Sequence, residues 1–151
     1  MANAASQPAP QPAPSRLLVA VSSLEAAARL VAPVADLARR LAAEVLIVHV
    51  KKPAADKQPG LVPDRSDAAA ELGDRIGRGG DVTVRTLLMF SDDVARAILD
   101  TAAEQKVTMI LLGLTGKGVL QRFFDGNVPM ALLRETTLPV LLLPPDFGGT
   151  L

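Results

Sequence analysis

Residues 113–127 read GLTGKGVLQRFFDGN, so Gly113, Gly116, Gly118 and Gly126 place four glycines in fifteen residues at the end of the apolar run TMILLGL. Glycine lets backbone amides approach a ligand with no Cβ in the way. The segment leaves a strand and feeds a helix that starts near Val128. Unpaired N–H groups and the positive end of the helix dipole suit an anion there, phosphate above all. Lys117 and Arg122 add positive charge. Asp125 adds a negative one, which sits beside a polyphosphate only if a divalent cation such as Mg²⁺ bridges them. The same spacing also suits a plain turn, with Gly113 ending a strand, Gly116 and Gly118 shaping the bend, and Gly126 preceding a helix cap at Asn127. A Walker loop is excluded, because no G-x-x-x-x-G-K-[ST] occurs. The dinucleotide fingerprint G-x-G-x-x-G is missing after the first strand, where VSSLE stands instead.

Other reactive side chains are few. His49 is the single histidine, between Val48 and Val50, and reads as a packing residue at a strand end. With one His and no Cys, a Ser-His-Asp site or a zinc site has little material. Ser22 and Ser23 lack the G-x-S-x-G frame of a nucleophile elbow, and helix capping accounts for Ser22. Asp92 and Asp93 mark a helix start, where carboxylates favour the dipole. Asp64, Asp67, Glu71 and Asp74 read as a solvated helical face.

Composition narrows the classes further. The 151 residues carry sixteen basic and sixteen acidic side chains, 49% apolar residues and no Trp or Tyr. Such a chain has a sizeable core, no charge excess for nucleic acid or membrane surfaces, and few rings on which bases stack. No apolar run is long enough to span a bilayer. The first fifteen residues, MANAASQPAPQPAPS, have neither a basic nor an apolar signal-peptide region and read as a Pro/Ala-rich arm. These features lead to the expectation of a cytoplasmic protein.

The elements that must position these residues alternate. RLLVAVS (16–22) is an apolar run with β-branched members that fits a strand buried on both faces, and EVLIVHV (44–50), VTVRTLLMF (82–90), the uncharged TMILLGL (108–114) and PVLLLPP (139–145) read as the second to fifth strands. Between the first two, Leu30, Val34, Leu37 and Leu41 recur at helical spacing; Ser22 and Glu25 form a capping box, and Pro33 predicts a kink. Residues 51–63, rich in Pro and Gly, read as a loop. Residues 64–77 form a weaker helix weakened by Gly73, and 91–105 a helix capped by Ser91 or Asp92 with Val94, Ile98 and Ala102 inward. VPMALLRETT from Val128 is the last helix, with Pro129 in its first turn. The order β-α-β-α-β-α-β-α-β predicts an α/β fold, a five-stranded parallel sheet with helices on both faces. The domain is expected over 16–146, between an arm at 1–15 and a tail at 147–151.

Over roughly residues 16–145 the pattern resembles the universal stress protein family. Gly113, Gly116, Gly126 and Asn127 match its signature G-x2-G-x9-G-[ST] in spacing. LLVAV, AEVLIVHV, ARAIL, ILLGLTGKG, GNV and LPVLLLPP fall in the family's order. The resemblance implies a Rossmann-like sheet in strand order 3-2-1-4-5 and an adenine nucleotide, ATP or a relative, between the ends of strands one and four. It implies that Gly113, Gly116, Gly126, Asn127 and Val128 wrap the phosphates and ribose, with Lys117 alongside. Ser22 and Ser23, Val50 and Leu112 would fall near adenine or ribose. The chain departs from the pattern in two places. Ser22 stands where family binders carry an acidic residue, and Asn127 stands where they carry Ser or Thr.

The resemblance also implies a homodimer through the apolar fifth strand, residues 138–144, an edge that invites pairing with another chain. The expected function is a nucleotide-binding stress-response regulator and not an enzyme, since no general base stands out. The alternative is a dimeric interaction module of the same fold whose glycine segment is only a turn.

Overall fold

The computed structural model describes residues 14–53, 60–78, 80–113, 128–144 and 147. Six strands form one sheet: β1 (Arg16–Val21), β2 (Glu44–Lys51), β3 (Gly60–Pro63), β4 (Val84–Phe90), β5 (Met109–Gly113) and β6 (Val140–Leu143). Their order across the sheet is β3-β4-β2-β1-β5-β6. Five of them run parallel, and their order is the expected 3-2-1-4-5 once β3 is set aside.

The sixth strand corrects the five-stranded expectation. β3 pairs antiparallel with the end of β4, Gly60 opposite Phe90 and Pro63 opposite Leu87. It lies inside the segment read as a loop from its prolines. An edge strand tolerates a residue without an N–H, because one side of its backbone has no ladder to feed. Leu61 and Val62 thus pair although Pro63 follows them.

Among the described residues five helices cover the sheet: α1 (Leu24–Ala28), α2 (Val31–Leu41), α3 (Asp67–Ile76), α4 (Val94–Glu104) and α5 (Val128–Glu135). Alternate strand residues point to opposite faces. Leu17, Val19, Val21, Val45, Ile47 and Leu111 pack with Ala27, Val34, Leu72 and Ile76 of α1, α2 and α3. Leu18, Ala20, Leu46, Val48, Ile110 and Leu112 pack with Ile98 and Ala102 of α4 and Leu132 of α5. Burial on both faces is why β1, β2 and β5 read as unbroken apolar runs.

Pro33 does more than kink the first helix. It has no N–H for the Arg29 carbonyl and its ring crowds that group, so one helix cannot run through. The helix divides into α1 and α2, and Leu30 at the junction adopts φ −97°, ψ 0°. Pro33 then occupies the first turn of α2, where no N–H is needed. Two caps also differ from expectation. Ser23, not Ser22, caps α1 by accepting from the Ala26 N–H at 3.0 Å. Asp93, not Ser91 or Asp92, caps α4 by accepting from the Arg96 N–H at 3.1 Å, while the Ser91 hydroxyl accepts from the Asp93 N–H. Both helices start one residue or more later than periodicity suggests, because the cap is the last extended residue and it is the tertiary chain path that sets it.

Candidate functional site

The chain winds outward from β1 through β2 to β4, then returns through α4 to β5 on the other side of β1. β1 and β5 are neighbours, with Leu17 opposite Met109 and Ala20 opposite Leu112. The helix after β1 lies on one face and the helix after β5 on the other. The described helices that follow β1 and β5 thus lie on opposite faces, the arrangement in which open α/β sheets bind ligands at a crevice beyond the carboxyl ends of the strands.

Of the expected site residues, Ser22, Ser23, Val50, Leu112, Gly113 and Val128 lie among the described residues. Val50 ends the buried part of β2, Leu112 lies near the end of β5 and Val128 begins α5. All three join one apolar cluster with Ala20 on the α4 and α5 face. Val50 and Val128 are each 7% exposed and Leu112 2%, so all three belong to the buried core on that face. Ser22 follows β1 directly, and Ser23 is committed to capping α1. Both are half-buried at the mouth. Gly116, Lys117, Gly126 and Asn127 lie outside the described residues, as do Arg122 and Asp125.

Gly113 is the last residue of β5 and faces the other side, toward α1 and α2. A Cβ built on it would meet the Leu30 side chain at 2.7 Å from Cδ1 and 3.0 Å from Cδ2. Real Cβ atoms do not come that close. The missing side chain at 113 thus makes room for Leu30, the buried residue at the junction of α1 and α2. No positive φ requires glycine there. For this position the strand-ending reading has a direct steric cause.

One residue at the mouth was read only as packing. His49 is 8% exposed, in register with Val21 of β1 and Leu88 of β4. Its Nε2 lies 3.2 Å from the Ser22 carbonyl oxygen, and its buried Nδ1 has no partner. A carbonyl only accepts, so Nε2 carries the proton and Nδ1 the lone pair. Burial first, then the charge of Lys51, hold its pKa below the ordinary 6.5, against the Ser22 hydrogen bond and Asp64. The ring is neutral at pH 7. Sequence gave one signal for this contact, a lone histidine at the carboxyl end of a strand adjacent to β1.

Among the described residues, no three His, Asp or Glu side chains gather as a metal site, and no helix is long and apolar enough to cross a membrane. Two surface depressions lie away from the crevice. One, of about 570 Å³, runs along α3 and β4 past Gly73, Gly77 and Val84. The other, of about 370 Å³, lies between α4 and the end of α5 beside Lys106 and Thr137.

Comparison with known proteins completes this picture. The sequence profile described as Universal stress protein family matches residues 14–144. A universal stress protein crystallised with cAMP superposes with a TM-score of 0.56 at 21% identity, covering 89% of this chain and all of that one. One from Archaeoglobus fulgidus in complex with dAMP gives 0.59 at 20% identity, covering 85% and 96%. A universal stress protein family member from Burkholderia pseudomallei gives 0.60 at 22%, covering 86% and 96%. At these identities the likeness establishes the fold. Among curated proteins, Sensor protein KdpD of Mycobacterium tuberculosis is 27% identical over 121 residues, or 80% of this chain. The chain spans only 13% of the length of that sensor.

Proposed function

Since the chain belongs to the universal stress protein family, we propose that it binds an adenine nucleotide in the crevice between β1 and β5 and acts as a ligand-dependent regulator in a stress response. The observation that carries this reading is the strand order. It sets the carboxyl ends of β1 and β5 side by side, and Val50, Leu112 and Val128 join one apolar cluster that this reading takes as the floor of the site. A purine suits such a floor, because its faces are apolar and its edges seek a few polar groups. In this reading the Ser22 hydroxyl and the neighbouring backbone supply those groups, the Ser23 hydroxyl oxygen being held by the α1 cap. Gly116, Gly126 and Asn127, the later positions of the G-x2-G-x9-G-N spacing that Gly113 opens at the end of β5, supply the phosphate cradle in this reading, with Lys117 as a counter-charge. The cAMP and dAMP complexes of two fold relatives support an adenine nucleotide as the class. ATP with Mg²⁺ belongs to the same class, the cation offsetting Asp125. The chain's own residues bind and orient; no side chain at the described rim is placed as a general base, and the proposed role is non-catalytic and cytoplasmic.

Thermal shift with AMP, cAMP, ADP and ATP, each with and without Mg²⁺, tests it. At a hundredfold excess over Kd a bound nucleotide adds about 2.7 kcal/mol to stability. Gly126→Val abolishes that gain by filling the cradle. A melting point indifferent to every nucleotide refutes the reading.

A second reading is favoured by a different observation. Leu142 on the β6 edge is 38% exposed, and Met130 and Leu133 on α5 are about half exposed. Among the described residues β6 pairs only with β5. Residues 138–144 thus fit a homodimer interface, and an interaction module with no nucleotide would use the same edge. Light scattering that returns a monomer at micromolar concentration removes this reading.

A further inference from the structure

We propose that His49 is a positioning residue for the crevice: its Nε2–H holds the Ser22 carbonyl and so orients the Ser22–Ser23 peptide toward the ligand. The inference rests on reading the crevice as an adenine-nucleotide site. No peptide bond in the described chain is cis. In a trans peptide the C=O and the following N–H point in opposite directions. His49 lies on β2, on one side of β1, and accepts no role there except as donor to Ser22 at 3.2 Å. With the Ser22 carbonyl drawn toward β2, the Ser23 N–H is turned away from β2, the side on which β5 and the crevice lie. Among the described residues that N–H makes no backbone hydrogen bond. In this proposal it is the donor turned toward the ligand.

The grip is a firm one. His49 cannot swing into solvent, because it is 92% buried between Val21 and Leu88 of the flanking strands. Nor can its other nitrogen substitute, since the Nδ1 that would have to donate is buried without a partner. The charged groups acting on the ring are Lys51, two residues along β2, and Asp64, just past β3. A second proton would have to enter at Nδ1, with no acceptor to receive it. The ring is therefore confined to the one neutral tautomer that holds Ser22. The β1–α1 turn, which has no glycine to shape it, is set by a side chain from the next strand.

The test compares the full chain with His49→Leu and His49→Gln by calorimetric titration with AMP and with ATP plus Mg²⁺. The leucine keeps the apolar bulk and deletes the donor. The glutamine amide returns a donor near the place of Nε2. The expected result is affinity about tenfold weaker in the leucine variant and largely restored in the glutamine variant, the scale of one hydrogen bond. Nitrogen NMR provides a second readout, unambiguous because the chain has a single histidine. It should show the Nε2–H tautomer, and the Ser23 amide resonance should move in the leucine variant and return in the glutamine one. Equal affinity in wild type and leucine variant overturns the proposal, as does an Nδ1–H tautomer. If the wild type binds no nucleotide at all, the nucleotide reading fails by itself. The tautomer and the Ser23 resonance then still decide whether His49 sets this turn.

Discussion

Gly113→Ala isolates the packing role of the glycine that ends β5. Its φ lies outside the left-handed region, so alanine meets no backbone strain. The added Cβ instead lands 2.7 Å from Leu30 Cδ1, 3.0 Å from Cδ2 and 3.3 Å from Cγ. Overpacking a filled core costs about 1–3 kcal/mol. The atoms struck are the far end of a leucine, which moves more easily than backbone, so the lower half, about 1–2 kcal/mol, is expected. For a domain of this size that lowers the Tm by roughly 3–6 °C. Leu30→Ala alone removes a side chain only 7% exposed and costs about 2–4 kcal/mol through lost burial and a cavity. In the double variant the three clashing atoms are gone. The pair should then cost no more than Leu30→Ala by itself, a coupling of about 1–2 kcal/mol in the direction of relief. Urea denaturation of the four proteins measures this cycle. Additivity within about 0.5 kcal/mol would refute the steric account of Gly113 and return that glycine to the ligand.

Thr101 is 1% exposed on α4 and its hydroxyl has no partner. Thr101→Val keeps the shape and deletes the orphaned group, so denaturation should find it as stable as wild type or up to about 1 kcal/mol more so. Asp93→Ala removes the cap of α4 and should cost about 1 kcal/mol in the same assay, most of it recovered by Asn. The depressed pKa of His49 gives a signed pH dependence. The unfolded chain takes a proton near 6.5 and the folded chain resists it. The stability contributed by the neutral ring is therefore complete above pH 6.5 and declines as pH falls through that value toward the folded pKa. Denaturation between pH 8 and about 5 should show the decline in wild type and lose it in His49→Leu; identical profiles would contradict it.

What the residues alone determined were the properties carried by local periodicity. Apolar runs, unbroken in β1 and β5 and interrupted by Arg85 and Thr86 in β4, marked the five parallel strands, and spacing of three and four marked the helices. With the family signature these led to the strand order that the structure retains. Composition bounded the chemistry, since a single His and no Cys left little for a catalytic centre. Tertiary structure decided where pairing partners are distant in sequence. Leu61 and Val62 became a strand only because the edge of β4 was open to them. Pro33 was legible as a disturbance, yet whether it kinked or divided the helix was not. In the structure the chain divides there, and Leu30 at the junction fills the space beside Gly113. Likewise His49 shows in sequence as an isolated polar residue in a strand, and only the parallel register of β1 and β2 brings it to the Ser22 carbonyl. Periodicity records which way a side chain points relative to its neighbours along the chain. It carries no information on what stands opposite, and at this crevice the opposite residue decides the role.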